Sequence, residues 1–404
     1  MQTALIWYIG RMIAANPQQT TVENEQCLRT RIAPIHELLL GLSLLCMTVL
    51  SSVAGPFTQL VIFGDSLSDI GNVAQSTGGL YPGRYYYNNR FSNGPVYADA
   101  LATGLGLSPP VHSRAGGDNF AHGGAKTSGT SFPNSLFIQD VDDQVGQFLA
   151  TRTADPNGLF LVLAGANDLI GGQTNVSVPV NRLATDIGRL ISAGASQLLV
   201  LNLPLLGYTP RFNGNPTTVA QLNSRTEQFN SALATMLDGL EATNPAISLY
   251  RFDVAALFSQ ALNYPAAFGL TNVTNPAAPG LQPGAGSYDT SRVAANPNEY
   301  MFWDDLHPTS AVHAILAERV LQLFALPGDF NDDNIVDASD YVVWRKGLGT
   351  TYTQTDYDVW RAHFGETAGS GSAETTTVPE PLSEILLALA MLCSALAIRR
   401  RSEP

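Results

Sequence analysis

The chain of 404 residues is long enough to hold one large α/β domain with an appendage, or two modest domains. Its 21 Lys and Arg residues face 34 Asp and Glu, a net charge of −13, with Lys126 and Lys346 the only lysines, so the composition argues against binding a phosphate backbone or any nucleic acid. The three cysteines, Cys27, Cys46 and Cys393, fall in segments of targeting character, which excludes a structural disulfide in the main domain.

In chain order, residues 1–54 read as a leader and signal peptide. Arg29 and Arg31 precede an apolar stretch from Leu38 to Leu50, and Ser52-Val53-Ala54 supplies small residues for cleavage. The first thirty residues have neither a helical nor a strand period, as expected of a start codon placed too early. The main domain is expected over 55–327. Its first apolar run, Leu60 to Phe63, stops at Gly64-Asp65-Ser66-Leu67, and a helix-capping stretch from Ser68 to Asn72 follows. A hydroxyl where a buried strand gives way to a helix sits where ligands collect on a parallel sheet, although Gly, Asp and Ser also form ordinary turns.

LFLVLA (159–164), QLLVLNL (197–203) and ISLYRF (247–252) are further strands, nearly continuously apolar as strands buried on both faces are. Helical stretches near 179–194, 218–242, 253–268 and 308–324 separate or follow them. The alternation predicts an open parallel sheet with helices on both faces. Two stretches, 78–126 and 271–298, read instead as long surface loops of the kind that shape a cleft.

From Gly328 the composition changes. Asp340-Tyr341-Val342-Val343-Trp344-Arg345 is echoed by Asp356-Tyr357-Asp358-Val359-Trp360-Arg361, an internal duplication. In the first copy Asp329, Asn331, Asp333, Asp337 and Asp340 occupy positions 1, 3, 5, 9 and 12 of a calcium loop, with the Ile335 carbonyl at position 7. Asn334 stands at position 6 in place of Gly, a residue that still reaches the left-handed conformation. The second copy lacks the early ligands, so one Ca2+ ion is expected. The module resembles a dockerin-type duplicated EF-hand-like unit over 328–366, incomplete in its second half. That resemblance implies a cohesin-like or envelope partner. Residues 367–377 form a linker. The remainder, 378–404, carries Val378-Pro379-Glu380-Pro381, an apolar helix over 382–398 and Arg399 to Arg401, and resembles a PEP-CTERM sorting tail. It implies bacterial export and a membrane-spanning helix at the cell envelope.

The chemistry-bearing stretches lie in the main domain. A serine hydrolase needs a base near the hydroxyl, a carboxylate to orient that base, and donors for an oxyanion. FWDDLHPTS places Asp304 and His307 three residues apart, so one loop can carry both, and Pro308-Thr309-Ser310 opens a helix. GAND puts Asn167 at a strand's carboxyl end as an oxyanion donor, with Asp168 organising the loop. NFAHGGAKT offers Asn119, Gly123 and Gly124; either glycine could present a bare N–H, and Gly124 is taken as the donor. His122 is a competing histidine that lacks a carboxylate at short spacing.

FGDSLSDIGN, NRFSNG, NFAHGGA, GAND and FWDDLHPTS, in this order over about 57–326, resemble the GDSL esterase/lipase family of SGNH hydrolases. The resemblance implies a flavodoxin-like three-layer α/β/α sandwich. It implies Ser66 as nucleophile, His307 as base and Asp304 as its orienter, with the Ser66 N–H, Gly124 and Asn167 as the oxyanion hole. It further implies hydrolysis of a carboxylic ester of a lipid or acylated carbohydrate through an acyl-enzyme, with no catalytic cofactor. An acyltransferase of the same fold, or a non-catalytic calcium-dependent surface-binding protein, is the alternative.

Overall fold

The computed structural model describes residues 57–331, 333 and 335–367. The expected signal peptide (1–54) and sorting tail (378–404) lie outside them. Among the described residues no helix is long and apolar enough to cross a membrane.

The four apolar runs form the four strands of one parallel sheet, β1 (Leu60–Gly64), β2 (Leu159–Leu163), β3 (Gln197–Leu201) and β4 (Ser248–Phe252), in the spatial order β1-β2-β3-β4. Register runs Leu60 to Leu159, Leu159 to Gln197 and Gln197 to Ser248, so the carboxyl ends share one edge. The segment 118–122 lies along the free side of β1. Ile62 N–H donates to Asp118 O, Phe120 N–H to Ile62 O and His122 N–H to Gly64 O, a parallel ladder. Counting this segment, the order by chain position is 2-1-3-4-5, that of a flavodoxin-like doubly wound sheet. The order reverses between β1 and β2, and the crevice above that point is where such sheets take ligands.

Right-handed crossovers fix which face each helix covers. The step from β1 out to 118–122 carries α1 (Asn72–Ser76) and α2 (Tyr97–Gly104). The return across β1 to β2 carries α3 (Val141–Thr151), on the opposite face. A short α4 (Ala166–Ile170) follows β2. The next crossovers carry α5 (Ser177–Ser192) and α6 (Pro216–Thr243), after which α7 (Val254–Asn263) follows β4. Accordingly α5 packs on α3 and α6, whereas α2 packs on α8 (Ser310–Leu321). Between the layers Val61, Ile62, Phe63, Phe120, Phe148, Leu161 and Phe229 are buried in one continuous core.

The two predicted loops contain regular structure. Within 78–126 lies α2, whose short run YADALATG has too few turns for a helical period to stand out beside its Gly- and Asn-rich neighbours. Within 271–298 lies β5 (Asn272–Pro276), which pairs in parallel with β6 (Tyr300–Phe302) across an irregular register. Its polar sequence NVTNP gives no apolar alternation to read.

Beyond α8, α9 (Ala338–Gly347) and α10 (Gln354–His363) are the two echoes of the duplication, packed through Tyr341, Trp344, Tyr357 and Trp360. Trp344 Nε1–H donates to Thr353 O at 2.8 Å and Trp360 Nε1–H to Asp337 O at 2.7 Å. Val336 and Gly365–Glu366 exchange backbone bonds.

The residues of the expected calcium loop hydrogen-bond among themselves. Asp340 Oδ1 accepts from Phe330 and Asn331 N–H and Oδ2 from Asp337 N–H, while Asp337 caps α9 through Ser339 N–H. Asp329 and Asn331 Oδ1 both accept from Asp333 N–H, and Asp333 Oδ1 accepts from Ile335 N–H. Among the described residues no group of three or more His, Cys, Asp or Glu is gathered to hold a metal. These carboxylates also accept from backbone amides of the loop.

Candidate active site

β1 delivers its last residues to the switch point, and Gly64 turns the chain there. A Cβ at Gly64 would stand 2.4 Å from Leu163 O, so only glycine lets β1 end this close to β2. Asp65 ties the following turn by accepting from Leu67 N–H at 3.1 Å, and Ser68 and Asp69 N–H both return to Asp65 O. This leaves Ser66 at the head of the turn, 8% exposed.

Two further polar side chains hold the turn. Asn119 Nδ2–H donates to Ser68 O at 2.7 Å. Asp69 accepts from Gly71 and Asn72 on Oδ1 and from Val73 and Gly123 on Oδ2, joining the serine turn to the 122–125 loop. Burial pushes Asp69 up to about 6 against those four N–H donors, and burial likewise pushes Asp65 up to about 6.

His307 arrives from the far end of the chain, 241 positions away, with Nε2 2.9 Å from Ser66 Oγ. Its Nδ1 is 2.7 Å from Asp304 Oδ2. The loop that carries both is closed by Trp303 N–H on His307 O. Asp304 Oδ1 accepts from the Leu306 and His307 N–H groups at 2.8 and 2.7 Å, so the carboxylate organises the turn that presents its own histidine. Burial alone would raise Asp304, but the neighbouring His307, Tyr86 and the backbone N–H outweigh it and hold the carboxyl below its ordinary range. An ionised Asp304 accepts from Nδ1–H, which fixes the tautomer and leaves the Nε2 lone pair for the serine hydroxyl.

The loop is also fastened from outside. Arg211 pairs with Asp305 at 2.7 Å. Asn93 Oδ1 accepts from Ser310 N–H at the start of α8, and Ser92 Oγ donates to Pro308 O. The NRFSNG stretch therefore works at the entry to α8, and its Phe91 packs 5.1 Å from the His307 ring.

Asn167 stands at the first turn of α4, following Gly165 at φ 115. A Cβ at Gly165 would lie 2.4 Å from Phe229 Cζ, so glycine is required for both backbone and space. Asn167 Nδ2 donates one hydrogen to Ala125 O at 2.9 Å, and its other hydrogen has no partner among the described residues. Asp168 accepts from Thr127 N–H and Oγ1–H, the organising role expected of it. Between the two candidate glycines the bonding discriminates. Gly123 N–H is spent on Asp69 Oδ2 at 2.7 Å, whereas Gly124 N–H and Ser66 N–H make no hydrogen bond within the described residues. His122 is not brought to the serine: its Nδ1 lies on Phe120 O at 2.9 Å and burial pushes it down to about 4.

Beside Ser66, His307 and Asn167 a pocket of about 530 Å³, counting its open mouth, is walled by Leu163, Ile170, Leu203, Leu206, Phe258 and Phe302. Its apolar wall with a few convergent polar groups is the form of a small-ligand site. Sequence reading missed Asp69, Tyr86 and Phe91. Asp69 was hidden among capping residues, and the position of Tyr86 in the run Tyr85-Tyr86-Tyr87 carried no signal of its contact.

Fold and site together define a serine hydrolase arrangement: a hydroxyl, an imidazole and a carboxylate in series at the switch point of a doubly wound sheet. A family model described as GDSL-like Lipase/Acylhydrolase matches residues 60–320. The chain belongs to this family, and it is an enzyme that acts on ester bonds. It is 29% identical over 320 residues to a phosphatidylcholine-sterol acyltransferase of Aeromonas hydrophila, covering 69% of this chain and 93% of that one. A secreted effector protein, SseJ, of Salmonella typhimurium is 28% identical over 268 residues, covering 65% of this chain and 62% of that one, under two thirds of its length. A solved member of the lipolytic G-D-S-L family from Veillonella parvula has 12% identity and a TM-score of 0.37, covering 66% of this chain and 97% of that one.

Proposed function

We propose that the protein is an exported carboxylic ester hydrolase working through an acyl-enzyme on Ser66. The observation that carries this reading is the unbroken series Ser66 Oγ, His307 Nε2, His307 Nδ1 and Asp304 Oδ2, with steps of 2.9 and 2.7 Å. As Ser66 Oγ attacks the ester carbonyl, His307 Nε2 takes its proton and the carbonyl π electrons move onto oxygen. The Ser66 N–H, the Gly124 N–H and the second Asn167 Nδ2–H are the donors assigned to that oxyanion. Collapse expels the alkoxide, which takes the proton from His307, and water repeats the cycle on the acyl-enzyme. The apolar pocket is assigned to the acyl chain.

The test is turnover of p-nitrophenyl esters of increasing acyl length by the purified chain beside Ser66→Ala and His307→Ala. Both variants should lose at least about a thousandfold in kcat with the fold intact. Equal activity in all three overturns the assignment.

One observation favours a second reading: the relative aligned over nearly its whole length is named an acyltransferase. The same acyl-enzyme would then pass its acyl group to an alcohol, and product analysis with added alcohols, sterols or glycans separates the two outcomes.

We also propose that Asp329, Asn331, Asp333, Ile335, Asp337 and Asp340 bind one Ca2+. The support is their spacing, and binding requires that some carboxylates exchange backbone amides for the ion. Export and a cohesin-like or envelope partner rest on the terminal segments and on the resemblance of the duplicated module.

A further inference from the structure

The run Tyr85-Tyr86-Tyr87 has no part in the reaction as written, yet one of its hydroxyls reaches the centre of it. Tyr86 Oη–H donates to Asp304 Oδ2 at 2.6 Å, and the same oxygen lies 2.7 Å from His307 Nδ1. Oδ1 is already filled by two backbone N–H groups, and Asp304 is 0% exposed, so no solvent competes for Oδ2. Tyr86 is held in place by burial at 6% exposure and by Phe91, which packs on both its ring and that of His307. A phenol is not needed to keep Asp304 in position, since its other oxygen already anchors it to the loop.

We propose that Tyr86 is a positioning residue that sets the strength of His307 as a base by sharing Asp304 Oδ2 with the imidazole. A carboxylate oxygen that accepts a short bond from a neutral phenol has less electron density to offer the Nδ1–H of an imidazolium. The bond thereby weakens the pull of Asp304 Oδ2 on the Nδ1 proton. Burial first, and then the Asp304 charge, push the phenol well above the ordinary tyrosine range, so Tyr86 remains a donor wherever the enzyme works. The other charged or titratable groups that act on this pair are Asp65 from the serine turn, His313 from α8, Tyr81, Arg211 and Asp305, and none of them donates to Oδ2.

This inference rests on the serine hydrolase reading, and its test fails separately from that reading: activity surviving in Ser66→Ala sinks the reading, whereas the Tyr86 result below sinks only the inference. The experiment compares pH profiles of kcat/KM for the full chain and Tyr86→Phe on one p-nitrophenyl ester, with the low-field proton resonance of His307 Nδ1–H as a second readout. The acid limb should move to higher pH by about half a unit to one unit, with the Nδ1 proton resonance displaced. The plateau rate should fall by less than about tenfold. A limb that stays in place or moves down, whatever happens to the rate, assigns Tyr86 to packing alone and overturns the proposal. Should Tyr86→Phe not fold, 3-fluorotyrosine placed at position 86 keeps the ring and makes the phenol a stronger donor. The limb should then move to lower pH, and an unmoved or raised limb overturns the proposal equally.

Discussion

Replacing Asn167 by alanine separates two roles that this side chain combines. One Nδ2 hydrogen is bonded to Ala125 O at 2.9 Å, and the other is the proposed oxyanion donor. Loss of a single oxyanion donor costs about a hundred- to a thousandfold in kcat, about 2.7–4 kcal/mol of transition-state stabilisation. Loss of the bond to Ala125 O removes about 1 kcal/mol of stability, which lowers Tm by about 2–4 °C for a domain of this size. The ground-state carbonyl carries little negative charge, so KM should change little while kcat takes nearly the whole loss. Steady-state kinetics on a p-nitrophenyl ester, run beside a thermal melt of the same preparation, reads both effects. A lower Tm with kcat reduced less than about tenfold would refute the donor role and leave Asn167 as a loop brace.

His313 predicts a stability effect with a defined sign. It is buried on α8, where Tyr97 N–H donates to its Nδ1 and its Nε2 has no partner among the described residues, and burial pushes it from 6.5 down to about 3. Between those values the unfolded chain binds the extra proton, so the neutral form contributes stability that is whole above 6.5 and is lost as pH falls towards 3. From pH 7 to 5 the loss traceable to this residue is about 2 kcal/mol, and a His313→Gln variant that folds should show an acid-side decline in unfolding free energy smaller by that amount. An unchanged pH slope would show that His313 does not titrate on unfolding. For the duplicated module, calcium should raise the protease resistance of 328–367 and chelation lower it, with ester hydrolysis largely retained. Hydrolysis that collapses on chelation would couple the module to the active site.

β1, β2 and β3 were legible because burial on both faces writes continuous apolar runs, half-buried β4 at the end of the strand order carried a weaker signal of the same kind, and the main amphipathic helices wrote their own period. What could not be read was what depends on tertiary closure. The 118–122 segment joins the sheet with only a short ladder, and the residues flanking it, Gly117 and Gly123, are both glycines. Ser66, Asp304, His307 and Asn167 stand out in the sequence because each sits in a short stretch whose local geometry the proposed chemistry constrains. Tyr86 and Asp69 act across 218 and 54 positions of chain, and nothing in their own neighbourhoods announces the contact. The choice between Gly123 and Gly124, open in the sequence, turns on a single bond to Asp69.

The duplicated module carries a consequence for how such units diverge. Trp344 of the first copy is anchored on the backbone before the second helix, and Trp360 of the second on the backbone of the acidic loop. Each half thus closes the other, as two hands do in a clasp. The second copy can lack the acidic positions of the first and still matter to it, because its indole and the Gly365–Glu366 backbone are what the first loop leans on. Counting ligands measures what a repeat can bind, and it says little about whether its partner can stand without it.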